Sequence, residues 1–183
     1  MIEGKEMLDL IIRRQSDRKY SEKPVEPEKL ERIIEAGRMA PSACNAQPWK
    51  FIVVTNPELI IQVAEAASAR LLAMNTFVGQ APVIVVVVRE NPNFSSKIGG
   101  TIKSKDYSHI DIGIATANIC LQARAEGIGS CIIGWFDEKL LRNILGIPKS
   151  KRVELIITLG YALSDHRNKK RKPKEATVSY NKY

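Results

Sequence analysis

The chain has 183 residues, 44% of them hydrophobic and 26% charged, which is typical of one ordinary globular domain over residues 1–183. Its net charge is +8, and +5 of this falls between Asp165 and Tyr183, a pattern that suits a solvated tail, a nucleic-acid patch or a clamp for a small anion. Three widely spaced cysteines and two histidines argue against a disulfide framework and against a zinc site. The sequence has no apolar leader and no apolar run of membrane length, so we expect a cytoplasmic protein without membrane contact.

A cationic cluster follows the first predicted helix. Apolar residues at near-helical spacing predict that helix over about residues 5–14. Arg13, Arg14 and Arg18 lie at its end, with Asp17 and Glu22 close by in the sequence. Exposed arginines beside these acids need no ligand, whereas a converging cluster would repel itself unless an anion binds. Both interpretations remain open from these residues alone.

The loop over residues 40–49 connects a helix to a strand. Pro41 cannot continue a helix, Ser42 and Asn45 are short polar residues, and Pro48 disfavours helical geometry at Gln47. The loop should therefore have a defined shape that can present amides and hydroxyls to a ligand. The alternative is a plain helix stop followed by the core residue Trp49.

The other elements follow from hydrophobic periodicity and helix-start signals. Strands are predicted over about residues 50–55, 81–88, 131–134 and 153–162, and helices over about residues 27–39, 56–73, 109–126 and 137–145. The β-branched run at 81–88 is typical of a strand that is buried on both faces at the centre of a sheet. The polar stretch 91–106 is interpreted as a long excursion, and residues 176–180 alternate in a way that suits an edge strand.

The helix at 109–126 and the residues at 134–136 have predicted positions in the core or beside a ligand. The helix at 109–126 is apolar on all sides, so it should lie in the core or at a subunit interface, and Asn118 within it should form a hydrogen bond in the core. Asp111 is interpreted as a structural acid near the start of that helix. Trp135 and Phe136 are predicted core residues. Gly134, which has no side chain, would let the backbone approach a flat ring closely.

Two motifs resemble those of a known family. Arg14, Ser16 and Arg18 match the pattern RRSxRxF, and residues 40–54 match APSxxNxQPWxFxVV. Their order and separation, followed by Gly127-x-Gly129 and by a basic segment that ends at Pro173, resemble the nitroreductase family of flavin oxidoreductases over about residues 8–177.

The resemblance implies an α+β sandwich with a central, mostly antiparallel sheet covered by helices. It also implies a homodimer with exchanged (domain-swapped) C-terminal arms and with FMN at the interface. The phosphate and the pyrimidine edge would be held by Arg14, Ser16, Arg18, Lys169 and Arg171. The other subunit would contribute Pro41, Ser42, Ala43 and Asn45. Further ring contacts would come from Gln15, Asn75, Ile133 and Gly134.

The chemistry that the resemblance implies belongs to the flavin, and no catalytic side chain is required. NADH or NADPH would reduce FMN, and a small electron-poor acceptor such as a nitroaromatic or a quinone would then be reduced in a ping-pong cycle. Other functions remain open: an FMN-binding sensor or storage protein without turnover, a relative that removes halogens or degrades flavin, and a nucleic-acid binder. The lack of aromatic residues within the basic segment counts against the last, so we expect no nucleic-acid partner.

Overall fold

The structure is a computed structural model that describes residues 3–68, 74–90 and 106–183. Within these ranges the α-helices are α1 (Gly4–Arg13), α2 (Pro27–Arg38), α3 (Pro57–Ala67), α4 (Ser108–Ala125) and α5 (Glu138–Leu145). The strands are β1 (Trp49–Val54), β2 (Val83–Arg89), β3 (Gly129–Ile133) and β4 (Arg152–Gly160). Short 3-10 helices cover Ala43–Asn45, Thr76–Gln80 and Lys174–Ala176. None of the described helices is both long and apolar enough to cross a membrane.

The four strands form one sheet in the order β1-β2-β4-β3, and every neighbouring pair is antiparallel. β1 and β3 are therefore the two edge strands. The loop over residues 40–48 leads directly into β1, whereas the segment after α1 lies beside β3. The α+β architecture and the antiparallel sheet expected from the sequence are confirmed.

β2 is the central strand that its composition predicts. Its alternate residues enter two separate core clusters, with Ile84, Val86 and Val88 on one face and Val83, Val85 and Val87 on the other. The first face packs on α3 and α5, and the second on α2 and α4. Because both faces are covered by helices, the strand needs no polar residue until Arg89 at its end.

The predicted helix at 56–73 ends earlier in the structure. α3 stops at Ala67, because the backbone of Ser68 is extended and the Ser68 hydroxyl donates to the Ala64 carbonyl. The side-chain amide of Asn75 donates to the Ala67 carbonyl and so satisfies one of the last carbonyl groups of the helix. Residues 69–73 lie outside the described part of the chain, as does nearly all of the predicted excursion at 91–106.

α4 is buried on one side only. Ile112, Ala115 and Ile119 are buried in the core, and Asn118 donates to the Ala36 carbonyl as expected. The opposite side carries exposed apolar residues, namely Ile110, Gly113, Ile114 and Ala117. α1 has no buried residue at all, although Leu8, Ile11 and Ile12 are apolar. Both helices therefore leave apolar surface uncovered within one chain.

The C-terminal tail, residues 165–183, is exposed along most of its length. Its described secondary structure is the single turn of 3-10 helix at Lys174–Ala176. Residues 176–180, predicted as an edge strand on a partner subunit, form no strand within this chain.

Candidate functional site

The segment after α1 runs along the outer edge of β3. Ser16 forms a parallel bridge with Ser130, and the Asp17 amide donates to the Ser130 carbonyl at 2.9 Å. Tyr20 anchors the far end of the segment, because its buried hydroxyl donates to the Asp17 carbonyl at 2.7 Å and lies 2.7 Å from the Thr158 hydroxyl. Arg14, Ser16 and Arg18 are thus fixed to the rigid sheet.

Cations from both ends of the chain meet beside this segment. Burial, followed by the neighbouring charges of Arg14 and Arg171, lowers the pKa of Lys169. The Lys169 ammonium donates to the Ile11 carbonyl at 2.7 Å, at the last turn of α1. Arg14 and Arg171 therefore lie close enough to Lys169 to disfavour its charge, and an anion placed beside Lys169 would relieve that repulsion.

Ser16 and Arg18 occupy the same edge of the sheet. Burial raises the pKa of the Cys131 thiol, and the charge of Arg18, the Ser16 side chain and the charge of Arg14 oppose that rise. The Arg18 guanidinium lies 6.0 Å from the centroid of the Phe77 ring, which is a cation–π contact. The exposed Arg18 fork is thereby held over the surface near β3.

Gln15 differs from its neighbours because it is only 7% exposed. Its amide nitrogen donates to Asp17 Oδ1 at 2.7 Å and to the Asp165 carbonyl at 3.1 Å. Its oxygen accepts from the Arg167 amide at 3.0 Å. The side chain predicted to contact the cofactor is therefore engaged mainly with its own chain.

The loop over residues 40–48 has the defined shape that its prolines predict. Cys44, Asn45 and Gln47 all have φ near +50°, a left-handed conformation that is uncommon for residues other than glycine. The Ser42 hydroxyl accepts from the Gln47 amide at 2.9 Å, and the Gln47 side chain donates to Asn45 Oδ1 at 3.1 Å. Pro41 and Asn45 are exposed, and Ser42 and Ala43 are half-buried.

Asp111 secures this loop to the first turn of α4. Its Oδ1 atom accepts from the Ala43 amide at 3.1 Å, and its side chain is buried. The carboxylate also lies near the positive end of the helix dipole, where a negative charge is favourable. The structural role expected for Asp111 thus has a specific partner in the loop.

Asn75, Ile133 and Gly134 lie around the end of β3. The Asn75 amide donates to the Trp135 carbonyl at 3.1 Å as well as to Ala67, so both of its N–H groups are engaged. The Ile133 side chain is buried in the core, which leaves only its backbone for a ligand. Among the residues that the structure describes, none lies within 4 Å of a methyl group added at Gly134.

The prediction that Trp135 is a core residue is wrong. Its side chain is 62% exposed, whereas the next residue, Phe136, packs against the core as predicted. Trp135 comes just after the end of β3, where the chain leaves the sheet and its residues no longer have one face covered by helices.

The predicted site residues form two groups that do not meet within one chain. The cations and Ser16 lie at β3, and the loop containing Ser42 lies before β1 at the opposite edge, about 14 Å away across three strand spacings. α4 gives a similar separation. Asp111 holds the loop, whereas Cys120 lies near β3, because the Ser130 side chain opposes the rise that burial causes in the pKa of the Cys120 thiol. The nine helical residues from Asp111 to Cys120 correspond to about 13 Å.

Sequence reasoning missed two residues that shape the cationic group. Arg167 donates from its guanidinium to the Ser16 carbonyl at 2.7 Å and from its backbone to Gln15. The sequence does contain a signal for Arg167, which alternates with Lys169 and Arg171. Alternate residues of an extended segment face the same way, so this spacing predicts that all three lie on one side of the tail. Phe77 beneath Arg18 had no sequence signal, since the contact joins residues that are far apart in the chain.

Comparisons with known proteins agree with this architecture. The model of the Nitroreductase family matches residues 11–76 and 69–161. A protein of Archaeoglobus fulgidus, provisionally named as an NADH dehydrogenase/NAD(P)H nitroreductase, is 36% identical over 85% of this chain and 85% of its own. An oxygen-insensitive NADPH nitroreductase of Helicobacter pylori is 29% identical over 82% of this chain and 84% of its own.

A solved structure shows the same fold. The FMN-dependent nitroreductase from Clostridium difficile R20291 superposes with a TM-score of 0.78 at 28% identity, and the match covers 96% of this chain and 99% of that one. The two motifs, the antiparallel sheet and these matches agree, and the chain belongs to the nitroreductase family of oxidoreductases.

Proposed function

We propose that this protein is an FMN-dependent oxidoreductase that takes electrons from NADH or NADPH and passes them, in a ping-pong cycle, to a small electron-poor acceptor such as a nitroaromatic or a quinone. The observation that carries the proposal is that the two ends of the chain meet at one place: the Lys169 ammonium donates to the Ile11 carbonyl at 2.7 Å and lies within reach of the charges of Arg14 and Arg171. From the sequence alone, we propose the cytoplasm as its location.

The cationic group suits a phosphate monoester. Such a phosphate carries nearly two negative charges at neutral pH and has three acceptor oxygens. Charge-assisted hydrogen bonds to it contribute about 1.5 to 3 kcal/mol each. Arg14, Lys169 and Arg171 supply the charge, and the Ser16 hydroxyl supplies a neutral donor on the same sheet edge.

The surface next to this group suits a flat ring. Gly134 and the backbone of Ile133 leave room above the end of β3, and the exposed Arg18 fork can donate to the pyrimidine edge. When bound there, FMN would supply the hydride chemistry. The residues of the chain would orient the ring, and a cation at Arg18 would favour added negative charge on it.

A second copy of the chain would complete the site. The loop that presents Pro41, Ser42, Ala43 and Asn45 lies at the far edge of the sheet, so within one chain it does not adjoin the surface at Ser16. The exposed apolar sides of α1 and α4 support a homodimer in which that loop comes from the partner. In the same proposal, residues 176–180 form an exchanged arm on the other subunit.

Cofactor binding is the first test. We expect the purified protein to carry yellow FMN, and NADH or NADPH to bleach it under anaerobic conditions. Arg14→Ala, Lys169→Ala and Arg171→Ala should each weaken FMN retention. Lys172→Ala removes a tail cation that has no assigned contact and is the matched control. A colourless protein that ignores added FMN would contradict the proposal, as would an equal loss from the control. FMN that no nicotinamide reduces would indicate the sensor or storage alternative.

The dimer has its own test. Ile114→Arg places a charge on the exposed side of α4, and Ile61→Arg places the same charge on an exposed site of α3. We expect only the first variant to become monomeric by light scattering and to lose FMN. A monomeric Ile114→Arg that retains FMN fully would show that the partner's loop is not needed.

A further inference from the structure

Gln15 joins the N-terminal and C-terminal parts of the cationic group. Its amide carries two donor hydrogens and two acceptor lone pairs, and three of these four are engaged by Asp17, by the Asp165 carbonyl and by the Arg167 amide. Two of these partners lie about 150 positions away along the chain. The amide is almost completely buried, so water does not compete for these bonds.

The hydrogen bonds of Gln15 help to hold the C-terminal tail against the segment that follows α1. Four hydrogen bonds connect residues 165–169 to residues 11–16, and two of the four end on the Gln15 amide. The others come from the side chains of Arg167 and Lys169. No described residue from Asp165 onward is buried, so these bonds replace a hydrophobic anchor.

We infer that Gln15 is a positioning residue that fixes the tail so that Lys169 and Arg171 are in place before an anion arrives. This rests on the proposed function, because the anion is the FMN phosphate. Holding two long cationic side chains in position in advance reduces the ordering cost that binding would otherwise carry. Gln15 thus acts through the tail and makes no direct contact with the ring.

An amide is the group that this position requires. A glutamate would lose both donors and place a second carboxylate against Asp17 Oδ1, which lies 2.7 Å from the present nitrogen. A lysine or an arginine would offer no acceptor to the Arg167 amide. A methionine has nearly the shape of glutamine and neither polar group, so Gln15→Met removes the contacts with little change in packing.

The full chain carrying Gln15→Met tests the inference, with Gln62→Met on the exposed face of α3 as the matched control. In the flavin-free protein, hydrogen exchange at the Arg167 amide should become faster in Gln15→Met and stay unchanged in the control. FMN affinity should fall about tenfold or more, as expected for the loss of one or two hydrogen bonds. Thermal melting shows whether the variant is folded, and the exchange measurement does not depend on flavin.

A double-mutant cycle separates positioning from contact. If Gln15 acts through the tail, then Gln15→Met should cost little further FMN affinity once Lys169 and Arg171 are both alanine. If the combined variant loses FMN affinity by the full product of the two separate factors, the inference is overturned, because Gln15 would then contact the ligand itself. Unchanged exchange at Arg167 would also overturn it. A wild-type protein that binds no FMN would instead contradict the proposed function, and the exchange result would still test the role of Gln15.

Discussion

The Asp17 carboxylate occupies the space that a side chain at Gly129 would need. A Cβ atom at Gly129 would lie 2.7 Å from Asp17 Oδ2 and 2.8 Å from the Ala162 Cβ. Only glycine allows the segment with Arg14, Ser16 and Arg18 to lie this close to β3. The position of the proposed phosphate site therefore depends on a residue that has no side chain.

Gly129→Ala should destabilise the fold and displace this segment. We expect a loss of about 1 to 3 kcal/mol, because the added methyl meets buried atoms that cannot easily move. For a chain of this size the melting temperature should fall by about 2 to 4 °C per kcal/mol. Gly134→Ala is the matched control, since no residue in the described part of the chain lies within 4 Å of its added methyl. It should keep the stability and weaken FMN binding only. Equal melting temperatures for the two variants would contradict this prediction.

Tyr20→Phe should lower the free energy of unfolding by about 1 to 3 kcal/mol at pH 7, because it leaves the Asp17 carbonyl without its buried partner and leaves the Thr158 hydroxyl with only a long bond of 3.4 Å to the Cys131 carbonyl. Burial raises the pKa of Tyr20 far above its ordinary value. The unfolded chain therefore loses a proton near pH 10 while the folded chain keeps it, and stability falls as the pH rises further. Denaturant titrations at pH 7 and pH 11 should show that this extra alkaline loss is absent from the variant.

Lys169 should make FMN binding dependent on pH. Its lowered pKa means that, between this pKa and the ordinary value of about 10.4, the folded flavin-free protein binds fewer protons than the unfolded chain. The Lys169 contribution to stability therefore rises with pH across this window. A bound phosphate would favour the charged ammonium, so FMN affinity should fall as the pH increases through the same range. Lys169→Arg keeps its charge there and should flatten the profile. Identical profiles for the two proteins would contradict the prediction that Lys169 titrates in this range.

Replacing Asn75 with aspartate should destabilise the protein more than replacing it with glycine. Its backbone is left-handed, with φ of +59°, and both of its N–H groups hold carbonyls. Asn75→Gly keeps the turn and loses the two bonds, at a cost of about 0.5 to 1.5 kcal/mol each. Asn75→Asp also places a carboxylate beside the Ala67 and Trp135 carbonyls and should be the less stable variant. Denaturation followed by the fluorescence of exposed Trp135 would test this order, and a more stable aspartate variant would contradict it.

Much of the fold could be predicted from local patterns. The β-branched run of β2 predicted burial on both faces because only a central strand tolerates six consecutive apolar residues. Asp137 and Gly146 marked the two ends of α5 through their preferences for helix caps. These features depend on nearby residues, so the sequence contains their causes.

Features that depend on distant contacts could not be predicted in this way. Gln15 is hydrogen-bonded to tail residues about 150 positions away, and the Arg18 guanidinium lies over the Phe77 ring. The early end of α3 depends on Asn75, which returns to its last turn from the next described segment. The exposure of Trp135 likewise follows from where β3 ends. The motifs identified the site residues without indicating which of them share a sheet edge.

The placement of the two residue groups at opposite edges of the sheet has a genetic consequence. If each FMN takes its cations from one copy and its loop from the other, two inactive variants can restore each other. A chain lacking Lys169 and Arg171 and a chain whose loop is loosened by Asp111→Ala would form mixed pairs with one wholly intact site and one doubly damaged site. When the two inactive variants are produced together, their mixed dimers should therefore bind up to half as much flavin as the wild-type dimer. This restoration would follow from the order of the strands in the sheet.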